Sequence, residues 1–267
     1  MRVSIITVVR NDAAGLARTI LSVRSQSYRP IEFIVLDGAS QDGTVEVIES
    51  NEDILDHWES QPDGGTYDAM NKGLRRATGD FILFLNAGDE LLAGDSLERA
   101  VNAAKQYPLA DVLYFQATGE DGRTVGGCRR TSAILFDSVG NHQAVLTRAT
   151  VHKRFPFNTR YRIKADRDVQ LRMYLAGCRL QQLPEVIARS EGGGISATAI
   201  PQKEWENIHI CRANRVAFQW TLLAMLRAAM RLSLRRVARL AGVDWPTAKA
   251  IFTKFYRMNR GPLRRVA

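Results

Sequence analysis

The stretch Phe81-Ile-Leu-Phe-Leu-Asn-Ala-Gly-Asp89 constrains this chain more than any other. Five apolar residues run into Asn86, and Asp89 follows three positions later. A continuous apolar run of this length, bounded by Gly79 and Gly88, is the pattern of a strand buried on both faces of a parallel sheet. Ligands of open α/β sheets bind just beyond the carboxyl ends of the strands. Asp89 falls there, as a hard oxygen ligand suited to Mg²⁺ or Mn²⁺. Two readings stay open on these nine residues: a metal that holds a phosphate-bearing substrate, or an ordinary Gly-Asp turn.

The flanking sequence favours the α/β frame. Val3–Val9 is apolar and β-branched and reads as a first strand. Asn11-Asp12 can cap a helix over about 13–26, with Leu16, Ile20 and Val23 on one face. Residues 31–36 read as a second strand ending at Asp37. Residues 45–50 begin a second helix, Trp58 lies in a short third strand, and 67–77 reads as a helix before the Phe81 strand. This alternation predicts a doubly wound, mostly parallel sheet. Beyond about residue 105 the pattern loosens. Strands are expected over 112–117, 123–128, 144–147 and 180–188, and a helix over 165–176. The chain is expected to turn helical from Pro201 to about Ala241, with one more short helix starting at Asp244.

The 267 residues, 45% of them hydrophobic, suffice for one large domain with an appendage. No signal peptide is expected, since Met1-Arg2 leads straight into strand-like sequence. No apolar run reaches the roughly 18 to 20 residues that span a bilayer. Cys128, Cys178 and Cys211 match neither a disulfide framework nor a zinc pattern, which points to a reducing cytosol. The formal net charge of +9 is concentrated in 212–267, where Arg and Lys face a single acid, Asp244. Arg227, Arg231, Arg235 and Arg239 recur every four residues. Leu223, Leu226, Met230, Leu234 and Val237 fall mostly on another side. This is the pattern of a basic amphipathic helix, suited to an anionic phospholipid surface ahead of nucleic acid. A helix packed on the rest of the protein with solvated arginines is the alternative.

Six segments in order then carry a resemblance. They are Val3–Asn11, Asp37-Gly-Ala-Ser-Gln-Asp-Gly-Thr44, Asp63-Gly-Gly-Thr-Tyr-Asp-Ala-Met-Asn-Lys-Gly73, Ala77-Thr-Gly-Asp80, Phe84-Leu-Asn-Ala-Gly-Asp89 and Ala165-Asp-Arg-Asp168. Over roughly residues 1–195 the chain resembles the family 2 glycosyltransferases of GT-A fold, and among them the bacterial capsule and exopolysaccharide (colanic-acid-type) enzymes. The resemblance implies a catalytic domain over 1–200, with a nucleotide-sugar half (about 1–100) and an acceptor half (about 101–200), followed by a basic helical tail over 201–267.

It also implies an inverting transfer of a sugar from a nucleoside diphosphate, UDP by expectation, to a hydroxyl of a glycan or lipid-linked acceptor. Thr7 to Val9 would line the base and ribose pocket with their backbone. Asp37 would accept a hydrogen bond from the base, or else only end its strand. Asn71 and Lys72 match a segment near the nucleotide, and Asn86 would meet the ribose. Asp89 would bind Mg²⁺ or Mn²⁺ on the diphosphate. The chain departs from its relatives here, because they often carry carboxylates at the positions of Asn86 and Gly88. The metal is therefore expected to arrive with the donor. Asp166 occupies the position of the catalytic base, and residues two apart on a helix do not share a face, so Asp168 should point elsewhere. His142 and Gln143 resemble a pair near the acceptor. Glu191–Ser196 reads as a flap or a linker. The thinned acidic motif keeps open a membrane-associated scaffold that has lost turnover. The expected location is cytoplasmic, peripheral on the inner face of the plasma membrane, with no nucleic-acid partner.

Overall fold

The structure is a computed structural model, described over residues 1–119, 122–125, 131–135, 140–191 and 200–240. It divides into two compact units, Met1–Val216 and Ala217–Ala267. In the first unit β1 (Val3–Val9), α1 (Ala13–Arg24), β2 (Ile31–Asp37), α2 (Thr44–Glu49), β3 (His57–Ser60), α3 (Thr66–Arg76) and β4 (Phe81–Phe84) follow in strict alternation. Then come β5 (Glu90–Leu91), α4 (Ser96–Gln106), β6 (Val112–Thr118), β7 (Thr124–Val125), β8 (Val145–Arg148), α5 (Ala149–His152), α6 (Ala165–Leu175), β9 (Leu180–Arg189) and α7 (Ile200–Ala213). The strand expected over 123–128 is described only as β7, and the helix expected from Asp244 lies outside the described residues.

One nine-stranded sheet runs in the order β3-β2-β1-β4-β8-β6-β9-β5, with β7 on β6. Strands β3, β2, β1 and β4 pair in parallel. The second half is mixed: β8 is antiparallel to both β4 and β6, whereas β6 and β9 are parallel. The expected mostly parallel α/β sheet is present, and its reversal at β8 is what carries residues 142–144 back to the end of β4. The sheet is covered as the apolar runs demand. Every residue of β1 and β4 is buried. Leu16, Ile20 and Val23 of α1 pack into the core with Val3, Ile5, Phe33, Leu83 and Leu113. Asp12 starts α1 by accepting the Gly15 N–H at 2.9 Å, the capping that the sequence predicts.

Two buried polar groups hold the second half in place. Glu206 of α7 accepts the backbone N–H groups of Arg162, Ile163 and Lys164 at 2.9 to 3.0 Å, fixing the turn that enters α6. Helix α7 therefore belongs with the sheet unit, although the sequence suggests a boundary near 200. His152, at the end of α5, is buried in a ring cluster with Phe84 and Phe157 at 5.3 Å from each. Its Nδ1 has no hydrogen-bond partner. Burial, with a smaller contribution from Arg172, pushes its pKa down to about 4.

Both groups give measurable consequences. Glu206→Ala leaves three backbone donors without their charged acceptor and is expected to cost about 3 kcal/mol in urea unfolding; an unchanged midpoint would contradict the capping role. His152 is neutral in the fold and takes up a proton on unfolding below its unperturbed value. Its contribution is thus complete above about pH 6.5 and is lost as pH falls toward 4, roughly 2 kcal/mol by pH 5. His152→Leu should flatten the stability profile between pH 7 and 5 by that amount.

Candidate active site

The ladder of β4 continues past its last residue, because Leu85 N–H donates to Ile6 O at 3.0 Å and Ala87 N–H to Val8 O at 3.2 Å. The chain then turns sharply. Asp89 N–H closes on Asn86 O at 3.0 Å, with Gly88 at φ +86°, a conformation that favours glycine. Thr19 of α1 donates to Asp89 O at 2.7 Å and holds the turn against the helix. The Asp89 side chain is buried, the residue being 7% exposed. Burial raises its carboxyl to about pKa 6, opposed by His142, the Glu191 backbone, Ser190 and Gln143.

The antiparallel register of β8 on β4 pairs Leu83 with Leu146. Continued beyond the strands, it sets the turn His142–Ala144 against Asn86 and Asp89. Asn86 Nδ2 lies 3.0 Å from His142 Nε2. Gln143 Nε2 donates to Asp89 Oδ1 at 3.3 Å and also reaches Ser190 Oγ. Asn86 Oδ1 and Gln143 Oε1 are buried without a partner. Among the described residues, no three His, Cys, Asp or Glu are grouped to hold a metal. The carboxylate and the two unpartnered amide oxygens are nevertheless all hard donors, a set that fits Mg²⁺ or Mn²⁺ carrying further oxygen ligands of its own.

Asp166 stands in the first turn of α6. Its Oδ1 accepts the Arg167 N–H at 2.7 Å and lies 3.5 Å from the Tyr67 hydroxyl, which donates to Ile163 O at 2.9 Å. Burial, then the negative charge of Asp166, drives the Tyr67 phenol well above its usual range, so it stays a donor. Asp168 is tied elsewhere, to Arg172 at 2.8 Å and Asn214 at 3.0 Å. Asp166, His142, Gln170, His152 and Phe84 line one cavity of about 30 Å³, room for a single water. His142 thus joins the Asn86 side of the site to the Asp166 side.

The residues expected at the nucleotide are placed less simply. Thr7 is wholly buried, and its hydroxyl donates to Leu85 O at 2.6 Å. Val9 is buried, with its carbonyl accepting the Gly38 N–H at 2.9 Å. Asp37 ends β2, but its carboxylate takes the Ser40 N–H at 2.9 Å, the Ser40 hydroxyl and the Ser60 hydroxyl at 2.6 Å. In this geometry it fixes the turn after β2 and ties that turn to β3. Asn71 clamps Phe157 from both sides, donating to its O and accepting from its N, each at 2.9 Å. Lys72 donates to Pro62 O at 3.3 Å and faces Asp68 at 3.6 Å. These five are brought to the same end of the sheet as Asn86, with side chains largely spent within the fold.

Several contributors escape the sequence. Tyr67 and Glu206 carry no pattern that links them to Asp166. Ser190 and Glu191 reach Asp89 because β9 pairs antiparallel with β5, Glu90 opposite Arg189; the remainder of the expected flap, 192–196, lies outside the described residues. Arg18, Gly88, Glu90, Arg189 and Glu191 line a cleft of about 530 Å³ beside the turn.

Known proteins resemble this chain in sequence and in fold. Residues 4–173 fit the family described as Glycosyl transferase family 2. An uncharacterized glycosyltransferase of Mycobacterium tuberculosis is 47% identical over 136 residues, 50% of each protein; the chain spans about half the length of that relative. A PGL/p-HBAD biosynthesis glycosyltransferase of Mycobacterium bovis is 30% identical over 209 residues, 75% of this chain and 81% of that protein. Among solved structures, Staphylococcus aureus TarS 1–349 in complex with UDP-GlcNAc superposes with a TM-score of 0.65 at 19% identity, over 80% of this chain and 66% of that one. The mannosyltransferase PcManGT of Pyrobaculum calidifontis, in complex with GDP-Man and Mn²⁺, gives 0.61 at 18% identity, over 96% and 79%. The fold is therefore of the GT-A type, and the chain belongs to glycosyl transferase family 2.

Proposed function

We propose that this glycosyltransferase moves a sugar, with inversion, from a nucleoside diphosphate donor to a hydroxyl of a glycan or lipid-linked acceptor in polysaccharide or glycolipid assembly. UDP is the favoured nucleotide, since UDP-GlcNAc is the donor bound to TarS. One arrangement carries the reading. Asn86 and Asp89 stand on one side of His142-Gln143, and Asp166 on the other.

In this reading Asp89 holds Mg²⁺ or Mn²⁺ on the donor diphosphate, with Asn86 and Gln143 beside it. A cation bound there would offset the charge that builds on the departing nucleoside diphosphate. Asp166 takes the proton of the acceptor hydroxyl as its oxygen bonds to the anomeric carbon and the bond to the diphosphate oxygen breaks. Tyr67, a phenol that keeps its proton and donates it to Ile163 O, stands 3.5 Å from the Asp166 carboxylate. His142 orders Asn86 on the donor side and faces the acceptor side. The backbone of Thr7 to Val9, with Asp37, Asn71 and Lys72, frames the nucleotide pocket; Asp37 acts by fixing the turn at Gly38–Ser40 as well as by any bond to the base.

The test is transfer from a panel of UDP- and GDP-sugars in Mn²⁺. Asp89→Asn and Asp166→Asn should each lower kcat about 10²- to 10⁴-fold, and chelation of the metal should do the same to the wild type. Unimpaired transfer by both variants would refute the assignment. Donor binding without any turnover in the wild type would favour a scaffold that has lost catalysis.

A membrane surface is the second part of the proposal. In the second unit, the described helix α8 (Phe218–Leu240) is too polar to cross a bilayer. Many of its exposed side chains are apolar. Phe218 is 76%, Leu226 59%, Val237 62% and Leu240 81% exposed, while Arg227, Arg231 and Arg235 are half-buried. Exposed apolar side chains in a strongly basic segment suit the interface of an anionic bilayer on the inner face of the membrane. Leu226→Asp with Val237→Asp should release the protein from phosphatidylglycerol vesicles in a sedimentation assay; undiminished binding would remove this part.

A further inference from the structure

We infer that Glu191 is a second protein carboxylate for the divalent cation, supplied across the sheet in place of the one that Gly88 leaves absent. The inference rests on the reading of Asp89 as a metal ligand and adds a residue to it. The antiparallel pairs Glu90–Arg189 and Leu91–Ala188 set the register of β5 on β9. Continued back by two residues, that register puts Glu191 opposite Gly88. The side-chain positions agree. A Cβ built on Gly88 would meet Glu191 Oε2 at 1.8 Å, Cδ at 2.9 Å and Cβ at 3.2 Å. The Glu191 carboxylate therefore occupies the space into which a side chain at position 88 would project. Its backbone is bound to the same turn, with Glu191 N–H donating to Asp89 Oδ1 at 3.2 Å.

Acidic neighbours alone do not make a metal site. Here a second observation points to a ligand. Gln143 is 4% exposed, its amide is directed at Asp89, and its Oε1 has no partner. Asn86 Oδ1 is likewise buried and unpartnered. Buried amide oxygens are ordinarily satisfied, so these two await a donor or a cation. Like the carboxylates of Asp89 and Glu191, they are oxygens of the kind that hard divalent ions take alongside phosphate oxygens.

The ion pair on Glu191 suggests how the site changes on loading. Arg18 Nη2 lies 2.5 Å from Glu191 Oε1, and both side chains line the open cleft beside the turn. A cation entering with the diphosphate offers Glu191 a stronger partner than Arg18. Both side chains are about 40% exposed, so the pair separates at little cost.

The experiment measures Mn²⁺ binding rather than turnover, by electron paramagnetic resonance of free Mn²⁺ titrated with protein at saturating UDP, with GDP as a parallel arm. Glu191→Gln, on the surface and near-isosteric, should weaken Mn²⁺ about tenfold or more while nucleotide binding in chelator stays as in the wild type. Arg18→Ala should leave Mn²⁺ affinity in place. Wild-type affinity in Glu191→Gln, together with loss in Asp89→Asn, would overturn the role of Glu191 and leave that of Asp89 standing. The same loss in Arg18→Ala as in Glu191→Gln would also overturn it, since the ion pair and not ligation would then be responsible. No nucleotide-dependent Mn²⁺ binding by the wild type in either arm would overturn both roles.

Discussion

Strand β4 bonds to β1 in parallel on one side and to β8 in antiparallel fashion on the other. That change of direction governs the site. A parallel neighbour brings its own carboxyl end to the same edge, which is how β1 and β2 deliver Val9 and Asp37. An antiparallel neighbour instead brings the residues that precede it, and β8 is preceded by His142-Gln143. Without the reversal, the end of β4 would face only the first half of the chain. With it, Asn86 and Asp89 acquire buried partners from the other half of the chain. The same strand supplies the Phe84 ring that packs on His152 and Phe157 beneath Asp166.

The arrangement sets a charge inside a nearly dry edge of the sheet. Desolvation disfavours the ionised Asp89, as its raised pKa of about 6 records. Donors from Gln143 and the Glu191 backbone recover part of that cost. A cation recovers more, since an opposite charge at contact is the strongest counterweight to burial. Asp166 lives under a different rule. It is only half-buried, and its Oδ1 accepts the Arg167 N–H beside the Tyr67 hydroxyl.

How much of this was legible in the sequence follows from the range of the interactions. The apolar runs, the glycine punctuation and the helix caps are local, and β1 to β4 with α1 to α3 fall within a residue or two of their expected bounds. Asp89 at a strand end and Asp166 rather than Asp168 toward the cavity are also short-range inferences, one from strand length and one from helical spacing. The tasks of Thr7, Asp37 and Asn71 were not legible. Each finds its partner 3 to 86 residues away, and a motif gives no account of what a side chain already holds. Glu206 was missed because a carboxylate on a polar helix looks solvated until the turn it caps is in place.

Gly88 shows why a departure from the family pattern need not be a loss. In sequence it removes a carboxylate from the acidic motif. In the fold its φ of +86° favours glycine, and the Glu191 carboxylate lies within 1.8 Å of where its Cβ would be. Any larger residue at 88 would displace Glu191 from Asp89, and with it the Arg18 ion pair at the mouth of the cleft. A side chain at 88 would share this space with the flexible end of Glu191, which would have to turn aside. A chain that keeps glycine here can retain a two-carboxylate edge only if β9 is long enough to return to the turn. The ten residues of β9 and its register on β5 satisfy that condition. The acidic character of the site is then set by a pairing between strands about a hundred residues apart, where a motif confined to one strand would not register it.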